Sequence, residues 1–144
     1  MDRSGYSLVH QQESSKMDTI KDKNLQCFLI EDEPLAVRQM EKYIASWDEL
    51  IYLGYADDIE IVDELIPFIN RTEILFIDIG VSGGDISILA PYISSDKIIV
   101  VTSAYPKDAH PEFLRQRCTY HLQKPITMEQ FDICMYKILK SKFK

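Results

Sequence analysis

Residues 27–40 read CFLIEDEPLAVRQM, and the fold turns on the first seven of them. Cys27, Phe28, Leu29 and Ile30 form an unbroken apolar run, which suits a strand covered on both faces. Three consecutive carboxylates follow at once: Glu31, Asp32 and Glu33. Like charges this close repel, which raises their pKa values and costs stability unless something positive offsets them. Beyond them Val37, Met40, Ile44 and Trp47 keep helical spacing. Alone, the acidic triplet is also what a solvated helix N-terminus offers, since anions are favoured there.

The same alternation recurs along the chain. Apolar runs lie at 51–55, 74–77 and 98–101, with a weaker one at 119–122. Between them Val62, Leu65, Ile66 and Ile69 have helical spacing, and 84–93 predicts a third helix. Pro106 and Pro111 interrupt what would be a long fourth helix, so a short one starting near Pro111 is expected. Thr127 and Gln130 have capping-box spacing and open a segment with Phe131, Cys134, Met135 and Ile138 on one face. Residues 1–24 are polar and without periodicity and read as a disordered N-terminal tail, leaving 25–144 as one domain. Strands apolar on both faces and separated by helices predict an α/β fold: a doubly wound five-stranded parallel sheet with helices on both faces. The flavodoxin-like order 2-1-3-4-5 is the natural one at this size. No G-x-G-x-x-G follows the first strand and no G-x-x-x-x-G-K-[ST] occurs, so the common nucleotide-binding versions of the fold lose support.

Composition bounds the rest. A chain of 144 residues, 46% hydrophobic and 27% charged, is ordinary for one soluble globular domain. No run is long enough to span a membrane, and the N-terminus has no apolar core of the signal-peptide kind, so a cytoplasmic location is expected. The net charge of −7 argues against direct nucleic-acid binding, and the basic end KILKSKFK reads as cations complementing a helix C-terminus. Cys27, Cys118 and Cys134 form no C-x-x-C pair, and their apolar settings read as reduced core cysteines.

In a doubly wound sheet the ligand lies beyond the C-terminal strand ends. The first strand ends in Glu31-Asp32, the third in Asp78, the fourth in Thr102-Ser103, and the fifth runs into Gln123-Lys124-Pro125. Three carboxylates, a hydroxyl and an ammonium would meet at one sheet edge. A hard divalent cation with oxygen ligands, Mg²⁺ for preference, offsets the acidic charge. Lys124 adds a second positive charge, suited to an incoming phosphoryl oxygen.

The acidic pair of IEDEP, the aspartate of LFIDI, the hydroxyl and alanine of TSA and the lysine-proline of LQKP occur in order, each at a strand end. This pattern resembles the receiver domains of two-component response regulators, from residue 25 to 141. The EDEPLA and TSAY stretches look most like receivers that precede a LytTR-type DNA-binding domain. The resemblance implies that Asp78 is the phospho-acceptor, taking a phosphoryl group from a histidine kinase or phosphotransfer protein. It implies that Asp32 binds Mg²⁺ directly, Glu31 through water, and that the Gly80 backbone carbonyl completes the protein ligands. Ser103, followed by Ala104, would hydrogen-bond the phosphoryl group, Lys124 would pair with it, and the Lys124–Pro125 peptide would be cis. The domain would then be no enzyme for an external substrate but an acceptor that assists its own phosphorylation and dephosphorylation. Ser103 and His121 take the switch positions, and homodimers would form through the face of the fourth helix, fifth strand and fifth helix.

Three departures stand out. Glu31 replaces the usual aspartate. The segment IGVSGGD after Asp78 is short, lacks the usual Met-Pro step, and with Gly80, Gly83 and Gly84 is expected to be flexible. His121 replaces the aromatic switch residue, and can swing with a pH-dependent charge or sit as a passive strand histidine. A receiver-like interaction module that is never phosphorylated is the alternative function. A metal-dependent phosphatase on a related fold would need a second acid near Asp78, where Gly80 leaves the position empty.

Overall fold

In the computed structural model of the chain, residues 9–11, 24–105, 110–117 and 119–142 are described. The elements are β1 (Val9–Gln11), β2 (Leu25–Ile30), α1 (Pro34–Ala45), β3 (Leu50–Ala56), α2 (Val62–Arg71) and β4 (Ile74–Asp78). After them come a 3-10 helix (Ile86–Tyr92), β5 (Ile98–Ser103), α3 (Glu112–Arg115), β6 (Tyr120–Gln123) and α4 (Met128–Lys142). The order across the sheet is β1-β3-β2-β4-β5-β6. With β1 set aside, this is the expected order 2-1-3-4-5, all of it parallel.

The sheet has six strands rather than the expected five, because part of the segment read as a disordered tail pairs with it. Val9–Gln11 runs antiparallel to Gly54–Ala56 along the outer edge of β3. Val9 packs against the apolar layer, and the His10 ring stacks on Tyr55 at 4.4 Å between centroids. An unpaired edge is a liability that such a strand covers. Three residues are too few to show periodicity, which is why the sequence gives no warning. Residues 1–8 and 12–23, Pro106 and Cys118 lie outside the described residues.

Side chains alternate across the sheet into two layers. Cys27, Leu29, Phe76, Val100 and Leu122 meet Val37, Met40 and Ile44 of α1 and Phe131, Met135 and Ile138 of α4. Phe28, Ile30, Leu75, Ile77, Ile99 and Val101 meet Leu65 and Ile69 of α2, Ile86 and Leu89 of the 3-10 helix, and Leu114 of α3. Cys27 and Cys134 are buried free thiols whose pKa values burial pushes up, as expected of core cysteines. Between Cys27 and Leu29 the register against β3 slips by one residue, where Gly54 adopts φ +124°. That is a bulge, and glycine tolerates the backbone it needs.

The expected third helix is a 3-10 helix. Pro91 lies inside it and lacks the N–H a longer α-helix would use. The short helix near Pro111 is α3, and the Thr127–Gln130 capping box opens α4 with both reciprocal bonds, at 3.1 and 3.2 Å.

Candidate functional site

The acidic triplet divides by role. Glu33 is the N-cap of α1, its carboxylate accepting from the Ala36 N–H at 2.7 Å. Glu31 and Asp32 point instead to the edge where β4 ends in Asp78. One oxygen from each of Glu31, Asp32 and Asp78 lies within 4.8 Å of the others. Glu31 is 1% exposed and Asp78 8%.

Lys124 supplies the positive charge. Its Nζ lies 2.9 Å from Glu31 Oε1 and 3.4 Å from Asp78 Oδ2. Its backbone is placed by the Lys124 N–H donating to the Ser103 carbonyl at 2.8 Å and by a cis Lys124–Pro125 peptide, as the resemblance implies. One residue further on, the Ile126 carbonyl accepts from the Tyr43 hydroxyl of α1 at 2.9 Å. Burial raises the Glu31 pKa to about 7, against the opposing pull of Lys124. Burial alone would lower the Lys124 pKa, but the bonds to Glu31 and Asp78 outweigh it and the net shift is upward.

Backbone and hydroxyl donors hold a further oxygen of each carboxylate. Glu31 Oε2 accepts from the Glu33 N–H at 3.2 Å, and Asp78 Oδ1 from the Gly80 N–H at 3.1 Å. Asp32 Oδ2 accepts from the Ser82 N–H at 3.0 Å and from the Ser82 hydroxyl. Ser82 was not singled out by the sequence; as one hydroxyl in a glycine-rich loop it has no local signal.

Ser82 also ties the loop after Asp78, which the sequence reads as flexible, to the turn after β3. The Ser82 carbonyl accepts from the Ile59 N–H at 3.0 Å, and Gly83 lies directly against residues 58–60. A Cβ on Gly83 would come within 2.0 Å of Asp58 Oδ1 and 2.6 Å of the Glu60 nitrogen. Gly83, with no Cβ, lets the loop seat closely on its neighbour.

Ser103, at the end of β5, is buried, and its Oγ accepts from the Tyr105 N–H at 2.8 Å. Thr102 stands opposite Asp78 in the sheet, buried and with its Oγ1 unpartnered. His121 is half-buried on β6, with its ring edge-on to buried His110 at 4.7 Å between centroids. His110 is a second residue the sequence reading passed over. Glu31, Asp32, Asp78 and Lys124 are therefore brought together, with Gly80 beside Asp78, while His121 belongs to the α3 side of β6.

No family model matches the sequence, and no curated protein matches it. Solved structures do match. The response regulatory domain of mrkE from Klebsiella pneumoniae is 22% identical, with a TM-score of 0.65, over 82% of this chain and 97% of that one. The isolated REC domain of RcsB from Salmonella enterica, solved with the phosphomimetic BeF3⁻, is 16% identical with a TM-score of 0.64, over 81% and 89%. The anti-anti-sigma factor PhyR from Bartonella quintana is 19% identical with a TM-score of 0.66, over 83% of this chain but only 50% of its own. This chain thus spans half the length of that protein. Among the described residues no helix is long and apolar enough to cross a membrane. With its 2-1-3-4-5 parallel core and these neighbours, the chain has the fold of a response-regulator receiver domain.

Proposed function

We propose that the domain is a phospho-acceptor switch of a two-component signalling system, with Asp78 as the accepting carboxylate. The observation that carries this reading is the convergence of Glu31, Asp32 and Asp78 to within 4.8 Å, with the Lys124 ammonium 3.4 Å from Asp78. The donor is a phosphohistidine of a kinase or phosphotransfer protein. An Asp78 oxygen attacks phosphorus and the P–N bond breaks. The electron pair leaves on the imidazole nitrogen, and an acyl phosphate remains on Asp78. Lys124 shifts its ammonium from the resting carboxylates to a phosphoryl oxygen as charge moves there. Ser103 Oγ accepts from Tyr105 and still has its own proton to donate to the phosphoryl group.

The donor set suits Mg²⁺, since all three clustered side chains offer oxygen and none offers nitrogen or sulfur. When bound, the ion supplies the charge that balances the carboxylates and the transferring group. Glu31, Asp32, Asp78 and the Gly80 carbonyl are the groups that would hold it. Ser103 and His121 would carry the response toward α3, β6 and α4, the face through which homodimers would form in a cytoplasmic regulator.

The test is acetyl phosphate with Mg²⁺, read by intact mass. One phosphoryl group, labile to hydroxylamine, is expected on the wild type and none on Asp78→Asn, whose amide is nearly isosteric but a poor nucleophile. The phosphomimetic BeF3⁻, present in the RcsB structure, gives a second probe of the same residue. Equal masses for wild type and Asp78→Asn would replace this reading with the interaction module that is never phosphorylated.

A further inference from the structure

We infer that Ser82 is a positioning residue for the cation site, holding Asp32 in place through two hydrogen bonds to a single carboxylate oxygen. The inference rests on the phospho-acceptor reading and deepens it. Glu31 and Asp78 share Lys124, but no ammonium reaches Asp32 among the described residues. Among the described residues its donors come from Ser82: the N–H at 3.0 Å and the hydroxyl both donate to Oδ2. Ser82 leaves Oδ1 unengaged, so the carboxylate is oriented while one oxygen stays available to a cation.

Ser82 is itself fixed from the other side. Its carbonyl accepts from the Ile59 N–H at 3.0 Å, and Gly83 next to it, at φ +105°, lies against the backbone of residues 58–60. Ser82 therefore links the turn after β3 to Asp32. Partners that orient a ligating carboxylate from outside the coordination shell commonly set affinity by 10–100-fold.

The test is Mg²⁺ affinity by isothermal titration calorimetry on the full chain, with acyl-phosphate yield measured in parallel. Ser82→Ala should weaken Mg²⁺ binding by about tenfold or more, with the fold unchanged by circular dichroism. Ser82→Thr, which keeps the hydroxyl, should restore affinity to within about threefold of wild type. Ser94→Ala is the control: its hydroxyl also donates to a carboxylate, that of Asp96, but before the start of β5 rather than at the site, and affinity should not change. Binding by Ser82→Ala within twofold of wild type would overturn the inference, leaving the phospho-acceptor reading standing. Tighter binding would also overturn it, showing that Ser82 competes with the ion. A wild type that neither binds Mg²⁺ nor accepts a phosphoryl group would overturn the underlying reading, and the inference with it.

Discussion

Two adjacent glycines allow the loop argument to be tested against its own control. Gly83 and Gly84 both have positive φ, +105° and +135°. An L side chain at either costs on the order of 1–3 kcal/mol of backbone strain. Only Gly83 also faces a wall. A Cβ there would lie 2.0 Å from Asp58 Oδ1, 2.6 Å from the Glu60 nitrogen and 2.7 Å from the Ile59 nitrogen, whereas Gly84 has nothing within 4 Å. The Asp58 carboxylate can rotate away, but at the cost of its bond to the Glu60 N–H. The two backbone nitrogens cannot rotate away, and Ile59 is buried. Gly84→Ala should therefore lose about 1–2 kcal/mol and Gly83→Ala about 2–4 kcal/mol, near the upper range for single substitutions. For a domain of this size the larger loss corresponds to a fall in melting temperature of roughly 10 °C. Urea unfolding followed by circular dichroism measures both, and Mg²⁺ affinity should fall for Gly83→Ala as Ser82 is displaced. Equal losses for the two variants, or a Gly83→Ala loss below about 0.5 kcal/mol, would refute the claim that this loop is seated on the turn after β3.

Three further outcomes are expected. Burial raises the Glu31 pKa from 4.5 to about 7, so the folded state holds a proton that the unfolded state has released. Stability of the cation-free protein should fall as pH rises from about 4.5 to about 7, and Glu31→Gln should flatten that slope; an unchanged profile would exclude Glu31 as its source. Tyr43→Phe removes the 2.9 Å bond to the Ile126 carbonyl and should cost about 1–2 kcal/mol in denaturant unfolding; a cost near zero would mean that this carbonyl finds another partner. Deleting the residues through Gln11 should speed amide exchange along Gly54–Ala56 and leave the α1 face unaffected; unchanged exchange would argue that β1 does not protect this edge.

The fold was legible where side chains repeat and obscure where they do not. Runs such as 74–77 and the rows Val37–Met40–Ile44 and Phe131–Met135–Ile138 are buried as their spacing required. Glu31, Asp32, Asp78 and Lys124 could be placed together because each follows a strand that could be read, and parallel strands bring such ends to one edge. β1 escaped because three residues have no period, and its partner is distant in sequence. The third helix was legible as a helix but not as a 3-10 helix, because periodicity shows an apolar face and not which hydrogen-bond ladder closes it. Ser82 and His110 escaped for one shared reason: their meaning lies in tertiary contacts, with Asp32 50 residues away and with the His121 ring.

The acidic cluster that opened the question is tolerated because each carboxylate has its own partners. Glu33 is satisfied by the Ala36 N–H of the helix it caps. Glu31 lies against Lys124 and the Glu33 N–H, Asp32 against Ser82, and Asp78 against Lys124 and the Gly80 N–H. The ammonium is thus spent on the two most buried acids, where an unpaired charge would cost most. Asp32, which is less buried, is left to neutral donors. That division explains how the edge stays assembled before any cation or phosphoryl group arrives. On the proposed reading a cation would share Asp78 with the phosphoryl group, and Lys124, already 3.4 Å from Asp78, would be the charge free to move onto that group.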